Sequence, residues 1–99
     1  MTLNRYAKQR DANEPEIKRA FEVMFWELEA IDRPCDLIAI CPRSGCHVVE
    51  FVEIKAPKTG RKTAGQVAFD QKIRGRLHYV RTTGDVVQMI EAHARRWHG

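Results

Sequence analysis

Long apolar runs are missing from this 99-residue chain. None approaches the roughly 20 residues that cross a bilayer. The polar opening "MTLNRYAKQRDANE" also lacks the apolar centre of a secretory signal. A membrane-spanning or exported protein is therefore not expected, and the expected location is the cytoplasm. Cysteine is scarce and odd in number, Cys35, Cys41 and Cys46. That count fits a closed disulfide framework poorly and a reducing compartment well. No internal repeat, linker or low-complexity segment breaks the chain, and the length leaves no room for a second core. One domain over 1–99 is expected, with residues 1–12 loosely ordered because they carry no periodic pattern. A hydrophobic fraction of 43% and a charged fraction of 30% belong to a folded globular domain rather than a disordered one.

Charge is unevenly placed. Residues 1–53 hold seven Lys/Arg against ten Asp/Glu, a balance of −3, and residues 54–99 hold ten against three, a balance of +7. An acidic half joined to a basic half gives the net +4. A basic half of this kind suits a polyanionic partner, although solubility alone also accounts for it.

From Glu16 to about Ile31, apolar residues recur at three- and four-residue steps (Ile17, Ala20, Phe21, Met24, Phe25, Leu28, Ile31), which predicts one amphipathic helix. Asn13 is placed to cap it, Pro15 fits its first turn, and Pro34 lies beyond its end. "DLIAIC" and "CHVVEFVEIK", separated by the turn residues "PRSG", read as a β-hairpin over 36–41 and 46–55. "APKTGRKT" is a loop, Ala64 to Arg76 a second helix, "LHYVRT" a strand, and a last helix begins at Gly84 or Asp85. The expected fold is α/β, a mixed β-sheet flanked by helices in the order α-β-β-α-β-α. A crossover through the second helix makes the last strand parallel to a hairpin strand. A fourth strand enters only if a short extended piece precedes "PCDLIAI".

Strand alternation puts Glu53 and Lys55 on one face and Ile54 on the other. The hairpin brings Asp36, at the start of the neighbouring strand, close to Glu53. Two adjacent carboxylates repel unless a hard divalent cation sits between them, and Mg²⁺ or Mn²⁺ suits oxygen ligands shared with a phosphate. A lysine beside such an ion can orient a nucleophilic water or offset charge growing on a phosphate. An isolated E-x-K, by contrast, is an ordinary exposed pair on a strand. Gln66 shares a helical face with Phe69 and Ile73, which puts its amide either near the sheet, where it needs a partner such as Lys55 or a water, or partly in solvent at the helix start. Lys58, Arg61 and Lys62 follow the E-I-K strand and suit phosphate contacts or plain solvation equally; Lys72, Arg74 and Arg76 extend the basic half. "CPRSGCH" places Cys41, Cys46 and His47 together, but it offers three ligands at a spacing foreign to zinc motifs, so no structural metal is expected there. His78, His93 and His98 are scattered and read as ordinary surface or packed histidines.

Taken together, "PCDLIAI", "VVEFVEIKAP" and "GQVAFDQKIRGRLHYVRTTGDV" resemble the stand-alone VRR-NUC domains of the PD-(D/E)XK nuclease superfamily, from about Glu14 to Ile90. The motifs agree in order and spacing: an Asp opening one strand, E-I-K closing the next, a helical Gln, and V-R on the following strand. The resemblance implies a restriction-endonuclease-like core. It implies Asp36 and Glu53 as metal-binding carboxylates, Lys55 as the catalytic lysine and Gln66 as the helical glutamine. It further implies Glu16 as the acidic residue of the first helix, also on the metal, with Glu14 an alternative that spacing does not separate. Arg81 matches the V-R arginine, in a structural or phosphate-contact role. Cys35 between Pro34 and Asp36 departs from the usual Pro-Asp pair. The implied activity is Mg²⁺- or Mn²⁺-dependent hydrolysis of DNA phosphodiesters. The small members of the family are homodimers acting on branched DNA such as four-way junctions, often phage-encoded and working in a bacterial host. Trp26 and Trp97 are candidates for the dimer contact. The rival readings are a non-catalytic DNA-binding module on the same fold, and a repair or restriction nuclease with another substrate.

Overall fold

The computed structural model describes residues 12–58 and 61–99. The loose order expected of the N-terminus therefore lies, for residues 1–11, outside the described residues. Seven elements follow in order: α1 (Glu14–Glu22), β1 (Glu27–Ala30), β2 (Leu37–Ile40), β3 (Val49–Ile54), α2 (Ala64–Lys72), β4 (Leu77–Val80) and α3 (Thr83–His98). The α/β class and the mixed sheet stand as expected, but the order is α-β-β-β-α-β-α, with one strand more. The sheet runs β1-β2-β3-β4, antiparallel at the first two junctions and parallel between β3 and β4. Among the described residues no helix is long and apolar enough to cross a membrane.

The expected helix over residues 16–31 is cut in two. Phe25 takes a left-handed φ of 65°, which closes a reversal in which Trp26 N–H donates to Phe21 O at 3.1 Å. A bulky residue in that region is rare, and it ends a right-handed helix. The chain then lies antiparallel on β2, with Leu28 opposite Ala39. The stripe is genuine through Ile17 and Phe21, both fully buried, whereas Val23, Met24 and Phe25 are exposed, Phe25 by 80%. Apolar residues at the reversal happened to continue the helical period.

Alternation along β3 divides the sheet's two faces. Val52 and Ile54 join Ile17, Phe21, Trp26, Leu37, Ala39, Val80, Val86 and Met89 in the core under α1 and α3. On the other face Phe51 meets Phe69 of α2 edge to face at 5.4 Å. Both later helices start on capping boxes, Thr63 with Gln66 and Thr82 with Asp85, which satisfy amide groups that a helix start otherwise leaves bare. The Thr82 cap starts α3 a residue before the expected Gly84. Asn13 occupies the cap position of α1 but makes no capping hydrogen bond. Its amide instead donates to Lys55 O at 3.0 Å and Arg81 O at 2.8 Å, tying the start of α1 to the ends of β3 and β4.

Candidate active site

The β2–β3 register pairs Leu37 with Val52. Continued by one residue, it sets Asp36 beside Glu53 on the face that α2 covers. Both carboxylates are 2% exposed. Asp36 is fixed by its Oδ2, which accepts Ile54 N–H at 2.7 Å, and by its own N–H, which donates to Val52 O at 3.1 Å. Lys55 follows on the same face, 7% exposed. Its Nζ lies 3.6 Å from Glu53 Oε2 and donates to Arg61 O at 2.6 Å.

Gln66 reaches this cluster from the first turn of α2. Its Nε2 donates to Glu53 Oε2 at 2.6 Å, while its Oε1 accepts Thr63 N–H at 3.1 Å. Both ends of the buried amide are thus engaged, and the partners are Glu53 and the α2 cap rather than Lys55. Gln66 fixes one rotamer of Glu53. Replacing it with alanine is expected to cost about 1.5–3 kcal/mol, the range for a hydrogen bond to a charged group. Gln66→Glu should cost more, because it sets a second carboxylate against Glu53. A urea titration in which the Gln66→Ala midpoint stays at the wild-type value would remove this bond from the account.

The acidic residue of α1 needs correction. Glu16 is exposed and does not converge on the site, whereas Glu14 is buried and pairs with Lys18 at 3.0 Å. Glu14 stands three residues before the core residue Ile17 and so shares its inward side, and Glu16 is turned away by about 100° for its single-residue offset. Asn13 pins this end of α1 to Lys55 and Arg81, and its buried Oδ1 accepts no hydrogen bond among the described residues.

The basic residues divide. Lys58, Arg61 and Lys62 are exposed around the exit of β3, with Lys62 Nζ 4.3 Å from the centre of the Tyr79 ring. Arg81 donates from Nη1 to Ala56 O at 2.9 Å, bracing the same exit. Arg76 belongs elsewhere: it donates to Val49 O at 2.8 Å, at the opposite end of β3. It therefore does not extend the track of Arg61 and Lys62. Next to Gln66, a cleft of about 350 Å³ opens between the Asp32–Pro34 turn and the start of α2. Cys35, between Pro34 and Asp36, is fully buried with its thiol on Leu37 O, and burial pushes it up to about 11. Asp36 follows it at the head of β2.

Two residues escaped the sequence reading. Tyr79 is the register partner of Glu53 on β4, and its hydroxyl is raised by burial and by the nearby Asp70 and Glu53 charges. Only the parallel pairing reveals it. Glu50, 3% exposed, accepts from His78 at 2.8 Å and His93 at 2.5 Å. Burial acts to raise its carboxyl, and the hydrogen bonds from His78 and His93, with the His78 and Arg76 charges, outweigh that and hold it at about 2. A charged residue on the core face of a strand is the signal that was available.

Compared with known proteins, the chain matches no family model, no curated protein and no solved structure.

Proposed function

We propose that this chain is a metal-dependent deoxyribonuclease of restriction-endonuclease-like fold, close in design to the stand-alone VRR-NUC domains. The observation that carries the reading is the convergence of buried Asp36, Glu53, Lys55 and Gln66 at one end of the β2–β3 hairpin. Two buried carboxylates present hard oxygen donors, the chemistry that Mg²⁺ or Mn²⁺ takes. Asp36 and Glu53 would hold the ion, with Glu14 rather than Glu16 as the carboxylate that α1 brings to this end. Bound there, the ion supplies an activated water and positive charge opposite the scissile phosphate. Lys55 contributes a fixed ammonium that offsets charge on the phosphate in the transition state, and Gln66 is a positioning residue acting through Glu53. Lys58, Arg61 and Lys62 surround the mouth and would hold backbone phosphates without reading bases.

The proposed substrate is branched DNA, cut by a homodimer whose two sites make paired incisions across a symmetric junction. The work would take place in the cytoplasm of a bacterial host, for a chain that a phage could encode. Trp26 is 5% exposed within the core and is withdrawn as a dimer contact. Among the described residues the exposed large apolar groups are Val23, Met24 and Phe25 at the α1–β1 reversal, Val67 on α2, Val87 on α3 and, at 37%, Trp97.

Linear, nicked, flapped and four-way DNA incubated with Mg²⁺ or Mn²⁺ tests the reading, with sedimentation at micromolar protein alongside. Symmetric cuts in the four-way junction by a dimer are expected. Cutting of every form equally would keep the chemistry and remove the selectivity for branched DNA. Tight binding without cutting would replace the enzyme with a binding module on the same fold.

A further inference from the structure

A second cluster occupies the other end of the β2–β3 hairpin. Cys41 directly follows β2, Cys46 lies in the loop before β3, and His93 and His98 come from the last turns of α3. One ligand atom from each of the four lies within 4.8 Å of all the others. Cys46 Sγ is 3.6 Å from His93 Nε2, and Cys41 Sγ is 3.7 Å from His98 Nε2. A tetrahedral ion with Zn–S near 2.3 Å and Zn–N near 2.0–2.1 Å holds sulfur and nitrogen about 3.6 Å apart. Two edges of that tetrahedron are already in place, and none of the other ligand pairs is farther apart than 4.8 Å.

The fourth ligand missing from "CPRSGCH" thus comes from a distant helix, and His47, the histidine beside Cys46, is exposed and outside the set. Four residues separate Cys41 from Cys46 and four separate His93 from His98, both within the ranges of two-cysteine, two-histidine zinc sites, so the spacing that looked foreign to zinc when Cys41 and Cys46 were set with His47 is corrected once His93 and His98 replace it. The surroundings point the same way. Glu50 Oε2 accepts from His93 Nδ1, which leaves the lone pair on Nε2, the atom facing Cys46. A carboxylate behind a histidine in this manner fixes the ring and its tautomer for a metal.

We propose that Cys41, Cys46, His93 and His98 form a structural Zn²⁺ site that staples the β2–β3 loop to the end of α3. Two thiolates and two imidazoles favour zinc over the hard Mg²⁺ of the other site, and four protein ligands leave no open position for a substrate. Spanning 57 residues between Cys41 and His98, the staple adds to the Glu50–His93 hydrogen bond that already ties β3 to α3. The site does not depend on the nuclease reading, since Asp36 and Glu53 lie at the far end of the same strands.

The test is metal analysis of the reduced full chain after exchange into Zn²⁺-containing and then metal-free buffer. Replacement by Co²⁺ gives an absorption readout of tetrahedral thiolate coordination. One zinc per chain is expected, with Cys41 and Cys46 shielded from thiol reagents by the metal and the buried Cys35 slow with or without it. Cys46→Ser and His98→Ala, both at partly exposed positions, should lose the stoichiometric metal. Glu50→Gln should weaken affinity about 10–100-fold, and Glu53→Ala should keep the full equivalent. Three results would overturn the site: no zinc retained by the folded reduced chain, zinc retained equally by Cys46→Ser and His98→Ala, or a Co²⁺ spectrum without thiolate charge transfer.

Discussion

Lys55→Ala is expected to slow cleavage of a four-way junction by about 10²–10³-fold in single-turnover assays, the usual loss when one fixed charge facing the transition state is removed. Binding of the same junction should persist, because Lys58, Arg61 and Lys62 at the mouth are untouched. The Lys55 ammonium is held at both sides. It is nearly buried, bonded to the Arg61 carbonyl and 3.6 Å from Glu53, so no mobile surface lysine can take its place. The substitution also leaves Glu53 without that cation, so circular dichroism must show the variant folded at the assay temperature. A folded variant cutting within a few-fold of wild type would remove Lys55 from the chemistry.

Phe21→Ala should destabilise the domain by about 3–5 kcal/mol, as a fully buried aromatic ring gives way to a cavity. Against a total stability of roughly 5–15 kcal/mol, that leaves a marginal fold. Phe21 is 0% exposed, and its ring centre is 6.2 Å from that of Trp26 across the reversal that ends α1. Phe25→Ala, four residues on and 80% exposed, should change stability by no more than about 0.5 kcal/mol. Urea unfolding of both variants separates two accounts of this segment. A single helix to Ile31 makes the two phenylalanines comparable core residues, whereas the reversal at Phe25 makes them opposites.

That pair also marks where the sequence was readable. The hairpin, the parallel last strand and the Asp36, Glu53 and Lys55 cluster were legible because strand alternation and turn residues are local signals. β1 was not: Glu27, Leu28, Glu29 and Ala30 are good helix formers, and pairing with β2 overrides that preference. Glu14 and Glu16 could not be separated until Ile17 fixed which side of α1 faces inward. Asn13 was placed at the right position for the wrong reason, since its side chain clamps two strand ends instead of capping. The cysteine–histidine cluster was only half legible: "CPRSGCH" offered Cys41 and Cys46, but with His47 in place of the ligands from α3. Its halves are 47 and 57 residues apart, and nothing in either half announces the other.

The central claim is that Asp36 and Glu53 hold a metal that cuts DNA. Its most direct test is incubation of one labelled four-way junction with wild-type protein in Mg²⁺, with wild-type protein in EDTA, and with Glu53→Ala in Mg²⁺. Cuts in the first reaction alone, with the junction still bound by the variant, are the predicted result. Cutting that survives EDTA or the loss of Glu53, or a wild-type protein that binds and never cuts, would contradict it.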